Sequence, residues 1–264
     1  MDNEKRRARQ LRKIAQMRLF DDTFMSAVFD DQKEETAYLI NTVLGRDDII
    51  VDSAKTQFFI ANIYGHTVHL DVLAHDTGGT AYHVEVQRDM ARSSVQWARF
   101  DAALVDSTLL KRGEDYETLP DRYTVFITEK DKFEAGLPVY EAENTIRQLD
   151  HLPLGDGGHI LYVNGEYQDT TTPIGQLMHD FMCVDPKDII NPLLRERVNM
   201  LKNTERGNDK VCKLMDEFVT EEIMEEKMDL ARDEIARGEL TLEQISRVLR
   251  LPLDIVKELA KEPA

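Results

Sequence analysis

The stretch VHLDVLAHDTGGTAYHVEVQR, residues 68–88, reads as two β-strands joined by a glycine turn. Apolar and polar residues alternate on both sides of Thr77-Gly78-Gly79, so the register of the hairpin follows from the pattern. Leu70, Val72 and Ala74 fall on one face with Tyr82, Val84 and Val86, while His69, Asp71 and Leu73 fall on the other with His83, Glu85 and Gln87. A turn centred on Gly78 pairs Asp71 with Glu85, His69 with Gln87 and Leu73 with His83. Slipping by one residue would strand carboxylates among valines, at a desolvation cost of several kcal/mol per ion, so the even register is expected.

Opposed side chains on an antiparallel pair have Cβ atoms roughly 4.5–5.5 Å apart, so two carboxylates there repel unless a proton or cation joins them. An all-oxygen pair with open positions suits Mg²⁺ or Mn²⁺, and such an ion activates water and stabilises charge on a phosphoryl group. The blander reading of the same residues is a solvent-facing hairpin with two surface acids. His69 and His83 read as solvated or supporting residues rather than ligands.

Outward from the hairpin the pattern continues. Residues 49–63 have β composition and make the hairpin a three-strand meander. Upstream, Phe24, Ala27, Val28, Leu39, Ile40, Val43 and Leu44 recur at helical spacing, interrupted at Asp30-Asp31 and stopped by Gly45. Downstream, Ser93 is placed to cap a helix through Lys111, with Val95, Ala98, Ala102, Val105 and Leu109 on one face. Strands are predicted at 122–128 and 158–164. The order helix, three-strand meander, helix, strand predicts an α/β fold with a restriction-endonuclease-like core.

After residue 170 the strand signals stop. Helices are predicted over 173–183, 189–203 and 209–236, and Thr241 with Gln244 forms a capping box before a final helical pair entered at Pro252. Three regions are expected: a basic N-terminal arm (1–20), the nuclease-like domain (21–170) and a helical C-terminal region (171–264). The segment 239–259 resembles a degenerate helix-turn-helix that would carry Arg247 and Arg250 to DNA. A packed helical hairpin that joins copies of the chain or merely caps the domain is the plainer expectation.

The formal charge of −17 opposes nonspecific binding to nucleic acid, but it is unevenly spread. Residues 1–20 carry +5, leaving −22 for the rest. The charged opening MDNEKRRARQLRK does not read as a secretory signal, and no stretch has the apolar length of a membrane span. Cys183 and Cys212 stand apart without metal-ligand spacing, which fits a reducing compartment. A soluble, cytoplasmic protein is expected.

With these residues in hand, the chain resembles the Rpn family of recombination-promoting nucleases and transposases, a branch of the PD-(D/E)XK superfamily. The resemblance covers roughly residues 20–250 and is carried by DDTFMSAVFDD (21–31), VHLDVLAHD (68–76), YHVEVQR (82–88), GEDYETLPDRYTVFITEKD (113–131) and YVNGEYQD (162–169). It implies a Mg²⁺- or Mn²⁺-dependent DNA endonuclease in which Asp71 and Glu85 hold the metal, Val86 lends its backbone carbonyl, and Gln87 stands where the superfamily has lysine. Asp22, at the start of the first helix, is the candidate for a further acid, with N-capping as its other role. The family's R-x-R-Y-Y pattern is matched by Trp97-Ala98-Arg99-Phe100-Asp101, which keeps Arg99 as a phosphate contact and loses the rest. Those losses leave an alternative open: a nuclease fold that binds nucleic acid or protein without turnover. A third reading makes the acidic C-terminal helices a partner-binding element.

Overall fold

The structure, a computed structural model, describes residues 2–60, 68–88, 94–110 and 112–261; at residues 2, 3, 59, 60, 68, 69, 221, 222 and 225 it describes the backbone alone. The fold is α/β, built on a mixed six-stranded sheet. Helices α1 (Asp2–Gln16), α2 (Asp22–Phe29) and α3 (Lys33–Leu44) precede strands β1 (Val51–Ile60), β2 (Val68–Asp76) and β3 (Ala81–Gln87). Helix α4 (Val95–Leu109) follows, then β4 (Arg122–Thr128), β5 (Val139–Ala142), the short β6 (Thr145–Ile146) and β7 (Leu152–Pro153), and β8 (Gly158–Asn164). The sheet order is β1-β2-β3-β4-β8-β5, with β6 and β7 forming a separate two-stranded ribbon.

The meander is antiparallel and β3, β4 and β8 run parallel, so the chain must cross over between β3 and β4, and α4 lies on that crossover. Parallel strands buried on both faces explain why Ala81–Val86 is buried at every position. Helix α4 begins one residue later than expected: Ser94, not Ser93, caps it by accepting from the Trp97 N–H, and Ser93 lies outside the described residues. Its buried positions are Ala98, Asp101, Ala102 and Val105, while Val95 is exposed. Gly45 closes α3 in the left-handed conformation that glycine adopts without strain.

Two sheet details depart from strict alternation. Backbone pairing of β2 with β3 is registered from His75 with Ala81 to Val72 with Val84 and stops there, so Asp71 with Glu85 and His69 with Gln87 are not ladder pairs. Side chains take over at that point, as described below. Leu70 packs in one cluster with Leu73, three positions on, and with Val105 of α4. Across from Asp71, Gln57 on β1 has φ of 53°, a costly backbone geometry for a residue with a Cβ, and it interrupts the alternation between the Thr56–Val72 and Phe58–Leu70 pairs.

The chain divides into two compact units, the first running through residue 211 and the second centred on Cys212–Ala264. Helices α5 (Pro173–Met182) and α6 (Pro192–Asn203) therefore belong with the sheet, and the first unit does not close near residue 170. The reason is packing. Phe181 meets Phe20 edge-on at 5.4 Å, and Arg197 donates to the Ala27 and Val28 carbonyls that end α2. The Lys202 ammonium is buried against the Met17 carbonyl at 2.6 Å. Nor are residues 1–20 a free basic arm, because Ile14, Met17, Leu19 and Phe20 are buried and Arg7 pairs with Asp209. In the second unit, the part of α7 (Glu205–Arg237) from Cys212 onward, α8 (Leu242–Leu249) and α9 (Leu253–Leu259) enclose Ala231, Ile245, Leu251, Val256 and Leu259. The Thr241–Gln244 capping box is present, and Arg247 and Arg250 are exposed.

Candidate active site

Where β2 and β3 stop pairing, their acids bond to each other's backbone. Asp71 Oδ2 accepts the Val86 N–H at 2.8 Å, and Glu85 Oε2 lies 3.4 Å from the Asp71 N–H. Both side chains are buried, Asp71 to 8% exposure and Glu85 to 5%. Gln87 donates to Glu85 Oε1 at 2.6 Å, and Gln57 links Asp71 Oδ1 (3.5 Å) to Ser26 of α2 (3.0 Å). Among the described residues no lysine or arginine pairs with either acid.

The electrostatics follow from that burial. Asp71 is pushed well above the ordinary aspartate range, first by burial and then by the Glu85 charge, against the pull of the Val86 N–H. Glu85 is pushed up by burial and then by Asp101. Asp22 raises both, so it stands within electrostatic reach of the pair although it lies on another element. It is the first residue of α2, and Asp21 occupies the N-cap position, so N-capping is not the role of Asp22.

Of the two expectations for His83, solvated or supporting, burial removes the first and its place beside Glu85 agrees with the second. His83 is fully buried, its Nε2 lies 3.2 Å from Glu85 Oε2 and its Nδ1 has no hydrogen-bond partner among the described residues. Burial pushes it down to about 4, so the imidazole is neutral at pH 7. Asp101 of α4 is 1% exposed, and among the described residues the indole of Trp97 is the one hydrogen-bonding group that acts on its carboxylate. Burial raises it to about 6, against the opposing effects of His83 and the nearby Trp97. Its position was visible in sequence, since 98, 101, 102 and 105 are one helical face, but a polar residue there did not register as part of the apolar pattern.

Arg99 is exposed, next to the buried Ala98 and Asp101 rather than among them. Arg88, which follows Gln87 and feels the charge of Asp22, shares Glu129 with Arg18. Arg88 bonds Asp21 at 2.8 Å and Glu129 at 3.1 Å, and Arg18 bonds Glu129 at 3.0 Å. Burial works to raise Glu129, and the two guanidiniums more than offset it. His69 lies outside the residues whose side chains are described.

This corner gathers Asp71, Glu85 and Gln87, with Asp22 acting on both acids from α2 and His83 and Asp101 behind Glu85. The ligands are hard oxygens, closely spaced and without a protein counter-charge, which is the environment that a divalent cation neutralises. The residues would therefore fit Mg²⁺ or Mn²⁺, and Asp71 and Glu85 would be the ones to hold it.

A second cluster escaped the sequence reading. His179, Asp180 and Cys183 each offer a ligand atom, all within 4.8 Å of one another, and they are the one such set of three among the described residues. The signal was a histidine and a cysteine four apart at the end of a predicted helix, which places them on one face. No helix among the described residues is long and apolar enough to cross a membrane. Compared with family models, with curated proteins and with solved structures, the chain matches none of them.

Proposed function

We propose that this chain is a divalent-metal-dependent DNA endonuclease with a restriction-endonuclease-like core, of the kind its resemblance to the Rpn family implies. The observation that carries the reading is the buried Asp71–Glu85 pair, which has no cationic partner among the described residues and whose ionised form is held at a cost. Asp71 and Glu85 hold the metal, with the Val86 carbonyl as a further oxygen and Asp22 adding negative charge. The ion would supply Lewis acidity at a phosphodiester and a more acidic water. Gln87, whose amide already reaches Glu85, orients the attacking water or a phosphate oxygen by hydrogen bonding, without the charge that a lysine would bring. Arg88, anchored by Asp21 and Glu129, replaces Arg99 as the phosphate contact in this reading. Recombination or the movement of a mobile element is the process the resemblance suggests.

One observation favours a second reading, a nuclease fold that binds without turnover. Asp101 puts another buried carboxylate beside Glu85 where the family pattern has a tyrosine. Nicking of supercoiled plasmid by the purified chain with Mg²⁺ or Mn²⁺ separates the two. The endonuclease reading expects nicking that Asp71→Ala and Glu85→Ala both abolish. Wild type and both variants behaving alike would remove it and leave the binding module.

A further inference from the structure

Helix α5 ends in His179-Asp180-Phe181-Met182-Cys183, and the chain turns through a 3₁₀ segment at Pro186–Asp188 before entering α6. His179 Nδ1 lies 3.3 Å from Asp180 Oδ1 and 3.6 Å from Cys183 Sγ. One nitrogen, one oxygen and one sulfur thus lie within 4.8 Å of one another. Tetrahedral zinc, with Zn–N and Zn–O near 2.0–2.2 Å and Zn–S near 2.3 Å, sets N···O and N···S separations of about 3.4 and about 3.6 Å. The two observed separations are those of a zinc site.

We propose that His179, Asp180 and Cys183 hold a zinc ion, with the fourth position left to water. The ligand chemistry selects the metal. A thiolate and an imidazole suit zinc, whereas Mg²⁺ and Mn²⁺ prefer an all-oxygen set such as Asp71 and Glu85. The surroundings are prepared for it: Asp180 is fully buried, and its carboxylate is oriented by the Ile190 N–H on Oδ1 at 2.6 Å and the Asn191 N–H on Oδ2 at 2.9 Å. His179 and Cys183 are half-buried, leaving an entry side. Binding replaces the Cys183 thiol proton, which passes to solvent, and forms the Zn–S bond with no change of oxidation state. The ion would staple the end of α5 to the loop that begins α6, and α6 is the helix whose Arg197 ends α2.

Without metal the same atoms can form a plain network, with imidazole N–H to Asp180 and thiol to the His179 carbonyl at 3.3 Å. Cobalt(II) distinguishes the two. The full chain is stripped with chelator and titrated with Co²⁺, then with Zn²⁺, and the absorption spectrum is followed. The expected result is one equivalent of tetrahedral cobalt with a thiolate-to-cobalt charge-transfer band, which Zn²⁺ displaces. Cys183→Ser removes the band, His179→Asn weakens Zn²⁺ binding at least about 100-fold, and Cys212→Ser leaves both unchanged. Cobalt on the Asp71–Glu85 oxygens would give no thiolate band. Absence of the band in the wild type, or its survival in Cys183→Ser, overturns the proposal. Circular dichroism of the stripped variants checks that each is folded, and should either not fold, the zinc content of the purified wild type decides: one zinc per chain supports the site and none overturns it.

Discussion

Two corners of the same unit collect ligand-type side chains, and they do so in opposite ways. At the end of β2 and β3 the donors are carboxylate oxygens, buried, raised in pKa and without a cation among the described residues. At the end of α5 the donors are mixed, the histidine and cysteine are half-buried, and the one carboxylate is satisfied by two backbone N–H groups. The first arrangement is costly for the metal-free protein and the second is not. If each corner binds metal as proposed, the first suits an exchangeable ion brought with substrate and the second a resident ion that holds the fold.

Removing an acid from the first corner is the largest break in that comparison. If a metal at Asp71 and Glu85 provides several kcal/mol of charge stabilisation, Asp71→Ala and Glu85→Ala should each lower single-turnover plasmid nicking by about 10³-fold or more. Zinc content should be unaffected. Cys183→Ser should do the reverse, losing zinc and keeping Mn²⁺-dependent nicking. Loss of nicking in Cys183→Ser with an intact, stable fold would merge the two corners into one functional unit.

Gln87 gives a smaller effect. Removing a preorganised hydrogen-bond donor from a reacting centre costs about 10²–10³ in rate, and Gln87 stands at the low end because its amide is shared with Glu85. Gln87→Ala should therefore slow single-turnover nicking about 10²-fold with little change in Mn²⁺ affinity. A fall in affinity as large as the fall in rate would show that Gln87 acts only by holding Glu85.

Much of the first corner was legible because a strand's period is rigid. The register placing Leu73 opposite His83 followed from alternation around Gly78, and the strands at 122–128 and 158–164 stood out as compact β-branched and aromatic runs. What alternation could not carry was its own interruption. Nothing in the alternation marked the positive φ at Gln57, the end of the β2–β3 ladder at Val72 or the packing of Leu70 with Leu73 and Val105. Strand β5 was missed because Val139–Ala142 is four residues long, half-exposed and paired on one side alone. The second corner was missed for another reason: Cys183 was weighed against Cys212 alone, when the helical period joins it to His179.

The smallest effect tests the stored charge itself. Asp71 is raised in the fold above its unfolded value near 3.9, so ionising it costs the folded state more than the unfolded one. The sign is therefore fixed: the metal-free fold keeps its full stability below pH 4, and loses some as pH climbs toward the raised folded value. Asp71→Asn cannot ionise and keeps an acceptor for the Val86 N–H. In chelator at pH 8 the variant should melt a few degrees above wild type, since about 1 kcal/mol shifts Tm by about 2–4 °C in a domain of this size. At pH 5 the gap should narrow. Added Mn²⁺ should raise wild type and not the variant, reversing the order at pH 8. Wild type melting higher than Asp71→Asn at pH 8 in chelator would mean that protein groups alone satisfy the pair, and the argument that this corner awaits a cation would lose its basis.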